Sequence, residues 1–140
     1  MAWVVDTCVI IDVLDADPQF GMPSAKLLDV RSVDGLVICP VSFIELAPAF
    51  QGDWQRQEYF LRQIRIQTVE GWTLADTRNA YQAWQSYVAV KPQNSLVRRR
   101  PIADIQIGAF AQRFQGLITR NPDDFAKFFP QLDLQVPGSR

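Results

Sequence analysis

Residues 102–119 read IADIQIGAFAQRFQGLIT, and this stretch decides the architecture. From 102 to 114 the apolar residues fall nearly all round a helix, a pattern that suits a helix covered on more than one side. Gly116 stops it, and residues 117–119 follow as a short apolar strand. Pro101 suits the first helical position, where its missing N–H costs nothing. A buried helix feeding a buried strand is the repeating unit of a parallel sheet covered on both faces.

The rest of the chain repeats that alternation. Ala2-Trp3-Val4-Val5 is a short apolar run stopped by Asp6 and reads as a buried strand. A short helix is expected over 8–15, closed by a loop at Pro18 and Gly21. A second opens at Ser24, turns Leu27, Leu28 and Val30 inward, and ends at the Asp34-Gly35 turn. Residues 36–39 read as a strand ended by Pro40, 42–50 as a helix, 54–65 as a helix carrying Trp54, Tyr59 and Phe60, and 66–69 as a third strand. The longest periodic helix spans 73–90, with Leu74, Tyr81, Trp84 and Val88 along one side. Residues 92–100 form a polar, basic loop. Asn121-Pro122-Asp123-Asp124 opens a helix running to Phe129, and 132–136 alternates as a final, more exposed strand. The expectation is one α/β domain over 1–140, with its ligand site at the carboxyl ends of the strands.

Composition narrows the chemistry. The 140 residues are 48% hydrophobic and 21% charged, which argues against disorder, collagen and coiled coil. There is no histidine, so His-based acid–base catalysis, Ser-His-Asp and Cys-His nucleophiles and His-ligated metals are all excluded. Cys8 and Cys39 cannot build a structural zinc site, and both lie in apolar runs as buried thiols of a reducing compartment. No apolar run reaches membrane-span length, and Asp6 interrupts any signal peptide, so a cytoplasmic protein with no membrane partner is expected. Charge is uneven: residues 1–60 carry nine acids against three bases, and 91–120 carry six bases against Asp104 alone. Arginine supplies eleven of the fourteen bases, and its planar fork suits phosphate. Solvated faces or an anionic partner both account for that bias.

Placing the acids on the expected sheet brings several to one edge. Asp6 ends the first strand, Glu45 follows the second, Asn121 and Asp124 follow the strand at 117–119, and Asp104 opens the helix leading into it. Such a cluster persists with protons shared or a cation bound. Oxygen ligands alone select a hard ion, Mg²⁺ or Mn²⁺, able to orient water and stabilise charge on a phosphodiester. Capping is the competing reading for each position. Ser42-x-x-Glu45 has the form of a capping box. Asn121 suits an N-cap with Asp124 at N3, Asp104 complements a helix dipole, and Asp6 can cap the helix after it, with Thr7 also available as the cap.

Val4-Val5-Asp6-Thr7, Val41-Ser42-Phe43-Ile44-Glu45-Leu46, residues 102–109 and Leu117-Ile118-Thr119-Arg120-Asn121-Pro122-Asp123-Asp124-Phe125 together resemble PIN-domain nucleases. Within these the chain is similar to VapC-type toxin ribonucleases of prokaryotic toxin–antitoxin pairs. The resemblance covers the whole chain in order. It implies a three-layer α/β/α sandwich with a short parallel sheet, Mg²⁺-dependent hydrolysis of RNA, a homodimer and a cognate antitoxin. It places the catalytic metal at Asp6, Glu45 and Asp104. Asn121 stands where the family has Asp or Asn, and as a neutral, weaker ligand it leaves one or two metals open. Thr119 matches a family hydroxyl near the metal, and Thr7 and Asp124 are supporting candidates. Arg98, Arg99, Arg100 and Arg120 are expected to guide the RNA backbone.

A rival from another class is a catalytically weak module whose acidic pocket receives a protein partner or RNA. A haloacid-type phosphoryl carrier is disfavoured, because it needs a second Asp at position 8, where the chain has Cys8. Trp54, Trp72 and Trp84 are read as core packing over base stacking, with the cluster of Trp54, Tyr59 and Phe60 a candidate interface.

Overall fold

The computed structural model describes residues 1–90 and 102–139. Five parallel strands, β1 (Trp3–Val5), β2 (Leu36–Val37), β3 (Ile66–Gln67), β4 (Gly116–Ile118) and β5 (Leu134–Gln135), lie in the order β3-β2-β1-β4-β5. The chain builds leftward from β1 to β3, then returns to the right of β1 for β4 and β5. Right-handed crossovers taken in opposite directions put their helices on opposite faces. The reversal falls between β1 and β4, and a crevice opens there at the carboxyl ends of the strands.

Side-chain alternation along such short strands divides the core. Trp3, Val5, Leu36, Ile38, Ile66 and Ile118 pack one way, against α1 (Thr7–Leu14), α2 (Gly21–Arg31), α3 (Pro40–Glu45) and α4 (Trp54–Gln63). Val4, Val37 and Leu117 pack the other way, against Ile107, Phe110 and Ala111 of α6 (Ile102–Ala111) and Phe125 of α7 (Pro122–Ala126). α5 (Leu74–Val90) covers the outside of α6, where Ala83 joins Ile105, Ala109 and Phe129. α6 is thus covered by the sheet inside and α5 outside, which is why its sequence is apolar nearly all round. The three-layer α/β/α arrangement follows. No helix among the described residues is long and apolar enough to cross a membrane.

Gly108 shows how close this packing is. A Cβ there would stand 2.4 Å from the ring of Phe129, itself 4% exposed. Gly108→Ala is expected to cost about 1 to 3 kcal/mol, the usual range for overpacking a closed core, read as a lower urea midpoint.

Several local expectations shift. The segment expected as one helix over 42–50 begins two residues earlier, at Pro40, and divides into α3 and a one-turn 3-10 segment (Ala47–Phe50), because Pro48 has no N–H to continue the helix and its ring crowds the carbonyl four residues back. Ser42 is therefore inside α3, Cys39 is its N-cap, and no Ser42–Glu45 capping box exists. The reciprocal box is instead at α5, where Asp76 Oδ2 accepts from the Thr73 N–H and Thr73 Oγ1 accepts from the Asp76 N–H. α5 also buries a different stripe. Leu74, Tyr81 and Val88 are exposed, while Asp76, Ala83 and Tyr87 face inward. Ala83 meets α6 there, and Trp84 of the expected stripe is half-buried against the same cluster.

Candidate active site

Asp6 leaves β1 at the crevice and becomes the N-cap of α1 in extended backbone, φ −72 and ψ 150. Its Oδ1 accepts from the Thr7 N–H at 2.8 Å. Its Oδ2 accepts from Thr119 Oγ1 at 2.8 Å, across the reversal point, and from Cys8 Sγ at 3.4 Å. Asp6, not Thr7, is the cap. Capping and site placement are here the same arrangement, since the cap turns the carboxylate across β1 toward β4. Asp6 is 6% exposed. Burial pushes its pKa up, against the lowering effect of these donors.

Glu45 is the last residue of α3 and is exposed, with Oε1 accepting from Thr7 Oγ1 at 2.7 Å. Thr7 therefore joins Asp6 and Glu45 through its backbone and its hydroxyl. Asp104 lies in the first turn of α6 and is half-buried. Burial, then the negative charges of Asp6, Asp124 and Glu45, push its pKa up to about 6 against a weaker pull from Lys127. That repulsion brings the four carboxylates into one electrostatic neighbourhood.

Asn121 does not cap α7 with its side chain. Its N–H donates to Thr119 Oγ1 at 3.0 Å, and its Nδ2 donates to Cys8 Sγ at 3.7 Å. Thr119, fully buried, is the hub, linking Asp6 to Asn121 through one hydroxyl. Asp124 is exposed on the first turn of α7. Cys8 escaped the sequence reading as a site residue. Its thiol touches Asp6 and Asn121, and burial followed by the charge of Asp6 raises its pKa to about 12, so it stands as a neutral S–H donor. Its place on the first turn after a capping Asp was the available signal.

Arg120 pairs within the chain: its Nε lies 2.9 Å from Oδ2 of Asp12, an inward residue of α1, while its own side chain stays 34% exposed. Arg98, Arg99 and Arg100 lie outside the described residues. Of the tryptophans, Trp54 is 63% exposed against Phe43 and Trp72 is 36% exposed, whereas Trp84 stacks on Tyr87. The core-packing expectation thus fails for Trp54.

The donor set fits a hard divalent cation by its chemistry: carboxylate, amide and hydroxyl oxygens, with Asp6, Glu45 and Asp124 near enough for their negative charges to add to the effect of burial on Asp104. Among the described residues no three carboxylates or thiols stand as a ready-made cage, and their mutual repulsion opposes closer approach. Glu45→Gln separates charge from scaffold. Gln keeps an oxygen for the Thr7 hydroxyl, so the metal-free melting temperature should barely move. Cation affinity, read by titration with Mn²⁺, should fall about tenfold or more as one anionic ligand is lost.

The topology and layering match those of two solved structures over nearly the whole chain. The chain is similar throughout to the structure of FitAB bound to an IR36 DNA fragment, with a TM-score of 0.70, 17% identity, and 100% of this chain and 97% of that one covered. It is also similar to VapBC2 from Rickettsia felis bound to a DNA fragment from its promoter, with a TM-score of 0.67, 14% identity, and 97% and 98% covered. At such identities the likeness establishes the fold. No protein-family model and no curated protein sequence matches the chain.

Proposed function

We propose that the protein is a metal-dependent endoribonuclease acting as the toxin of a toxin–antitoxin pair. The observation that carries this reading is the hydrogen-bonded edge at which Thr119 joins Asp6 to Asn121 and Thr7 joins Asp6 to Glu45, with Asp104 near enough for the charges of Asp6 and Glu45 to act on it. The likeness to FitAB and VapBC2, both named as assemblies on DNA, supports a partnered protein.

Asp6, Glu45 and Asp104 would hold Mg²⁺, or Mn²⁺ in its place, with Asn121 at the rim. Bound there, the ion supplies positive charge for the phosphodiester and makes nearby water a stronger acid. The chain's own residues do the rest. The Thr119 hydroxyl, the Thr7 N–H and the Cys8 thiol fix the Asp6 carboxylate in one orientation. The Thr7 hydroxyl holds Glu45 beside it. Asp104 carries its proton below about pH 6 and gives it up above, so ligand charge is complete only near neutrality, and cation uptake releases this proton only at about pH 6 and below. With no histidine in the chain, carboxylates must handle protons. The basic run of Arg98, Arg99 and Arg100 is proposed to steer the RNA backbone.

The antitoxin and a second copy of the chain are the proposed protein partners. A groove of about 380 Å³ lined by Ile38, Phe43, Ile44 and Trp54, with Glu58 and Glu70 in its wall, suits an apolar segment carrying basic residues. That surface also favours the second reading, a binding module with weak catalysis. Mixed single-stranded RNA incubated with purified protein decides between them. The nuclease cuts with Mg²⁺ and stops with EDTA, whereas the module binds without cutting in either.

A further inference from the structure

Arg120 was expected on the substrate side and is found clamped. Nη2 donates to Asp12 Oδ1 at 3.3 Å, Nε stands 2.9 Å from Oδ2 in an ion-pair contact without hydrogen-bond geometry, and the guanidinium lies 4.6 Å from the centre of the Phe20 ring. Asp12 is 3% exposed. A carboxylate so deep needs a partner, and a planar fork that both pairs and stacks is a role lysine does not reproduce.

The segment after α1 is folded to complete this arrangement. Asp17 Oδ1 accepts from the N–H groups of Gln19 and Phe20, each at 2.9 Å, and the Asp17 N–H donates to the Asp12 carbonyl at 2.9 Å. Ala16 takes a left-handed φ of 48. At Gly21 a Cβ would stand 3.1 Å from the Asp12 carbonyl oxygen and the Ala16 carbonyl carbon, so the loop closes tightly behind Phe20. An arginine merely awaiting phosphate has no use for these features.

Arg120 lies between the two residues that reach across the reversal point. Thr119 is tied to β5 through its N–H and to Asp6 through its hydroxyl. Asn121 is exposed, at φ −121 and ψ 67, and is held by the Thr119 hydroxyl and the Cys8 sulfur. We propose that Arg120 is a positioning residue: with Asp12 and Phe20 it clamps the turn between β4 and α7 onto α1, and so sets where Thr119 and Asn121 meet Asp6 and Cys8. Its bearing on cation binding rests on the reading of this edge given above. The clamp itself does not.

The test uses the double variant Asp12→Leu/Arg120→Met, which removes both charges and leaves neither buried alone, beside Asp12→Asn and Arg120→Lys. Two readouts avoid RNA cleavage. In metal-free protein, the Asn121 side-chain amide and the Thr119 backbone amide should shift in the double variant while signals from β1, β2 and α6 hold. In a Mn²⁺ titration without RNA, affinity should fall about tenfold or more in the double variant, Asp12→Asn and Arg120→Lys. The salt dependence of RNA binding should match the parent. If Arg120 instead contacts phosphate, Mn²⁺ affinity stays at the parent value, the salt slope drops by about one, and Asp12→Asn tightens RNA by releasing the arginine. That result overturns the proposal. A parent that binds no Mn²⁺ removes the cation reading alone, and the metal-free spectrum then decides the clamp: unmoved Thr119 and Asn121 signals overturn it.

Discussion

Asp104→Asn is expected to reduce RNA cleavage in Mg²⁺ by about a hundredfold or more, through loss of an anionic ligand, and at the same time to make the metal-free protein more stable at pH 8. The folded-state pKa of Asp104 is about 6, above its ordinary value of 3.8. The folded chain therefore binds this proton more tightly than the unfolded chain. The stability that the protonated carboxyl contributes is fully present below about pH 4 and is lost as pH rises through 6. Above that, the charged side chain burdens the fold and asparagine relieves it. Discounted for solvent screening of a half-buried group, the gain is about 1 to 2 kcal/mol, less a few tenths for lost helix-dipole attraction. Melting curves should show the variant about 3 to 6 °C above the parent at pH 8, converging at pH 4. A variant less stable at pH 8, or equally active, would remove Asp104 from the site.

The second large effect concerns what holds α6 in place. Arg113 donates from Nε and Nη2 to the two oxygens of Asp76 at 2.7 and 2.9 Å, and Nη2 also reaches the Gly71 carbonyl at 2.9 Å. The guanidinium lies 5.0 Å from Phe110 and 5.1 Å from Phe114 by ring centre. Asp76, fully buried, also closes the capping box of α5. Asp76→Ala thus breaks the link between α5 and the turn that follows α6, uncaps α5 and leaves Arg113 without its partner. The expected cost is about 3 to 5 kcal/mol, read as a large drop in the urea midpoint. Asp76→Leu/Arg113→Met should recover much of it, since no charge is then left alone. Full stability of Asp76→Ala would mean that helix packing alone holds α6.

The sheet and its layers were legible in the sequence because short apolar runs and turn residues are local signals. Residues 102–119 carried the strongest of them, an apolar helix and its strand. The stripe on α5 misled, because helical spacing identifies faces without saying which one is covered. The small Ala83 packs on α6 while Tyr81 stays outside. The position of Pro40 decided the fate of Glu45. By starting α3 it moved Ser42 into the helix and Glu45 to its end, where it meets Thr7. Asp6, Asp104, Thr119 and Asn121 could be placed from their positions at strand and helix ends. The Asp12–Arg120 pair could not, because it spans 108 positions in sequence, and for Cys8 its place on the first turn after Asp6 was a signal of position alone, since its contacts depend on which way the thiol turns.

In the proposed function the carboxylates of Asp6, Glu45 and Asp104 hold a divalent cation. Crystals grown with Mn²⁺ and measured at its absorption edge test it most directly. An anomalous peak is expected between the side chains of Asp6 and Asp104, lost in Asp6→Asn. A map with no peak at this edge, from protein that still cleaves RNA in Mn²⁺, would contradict it.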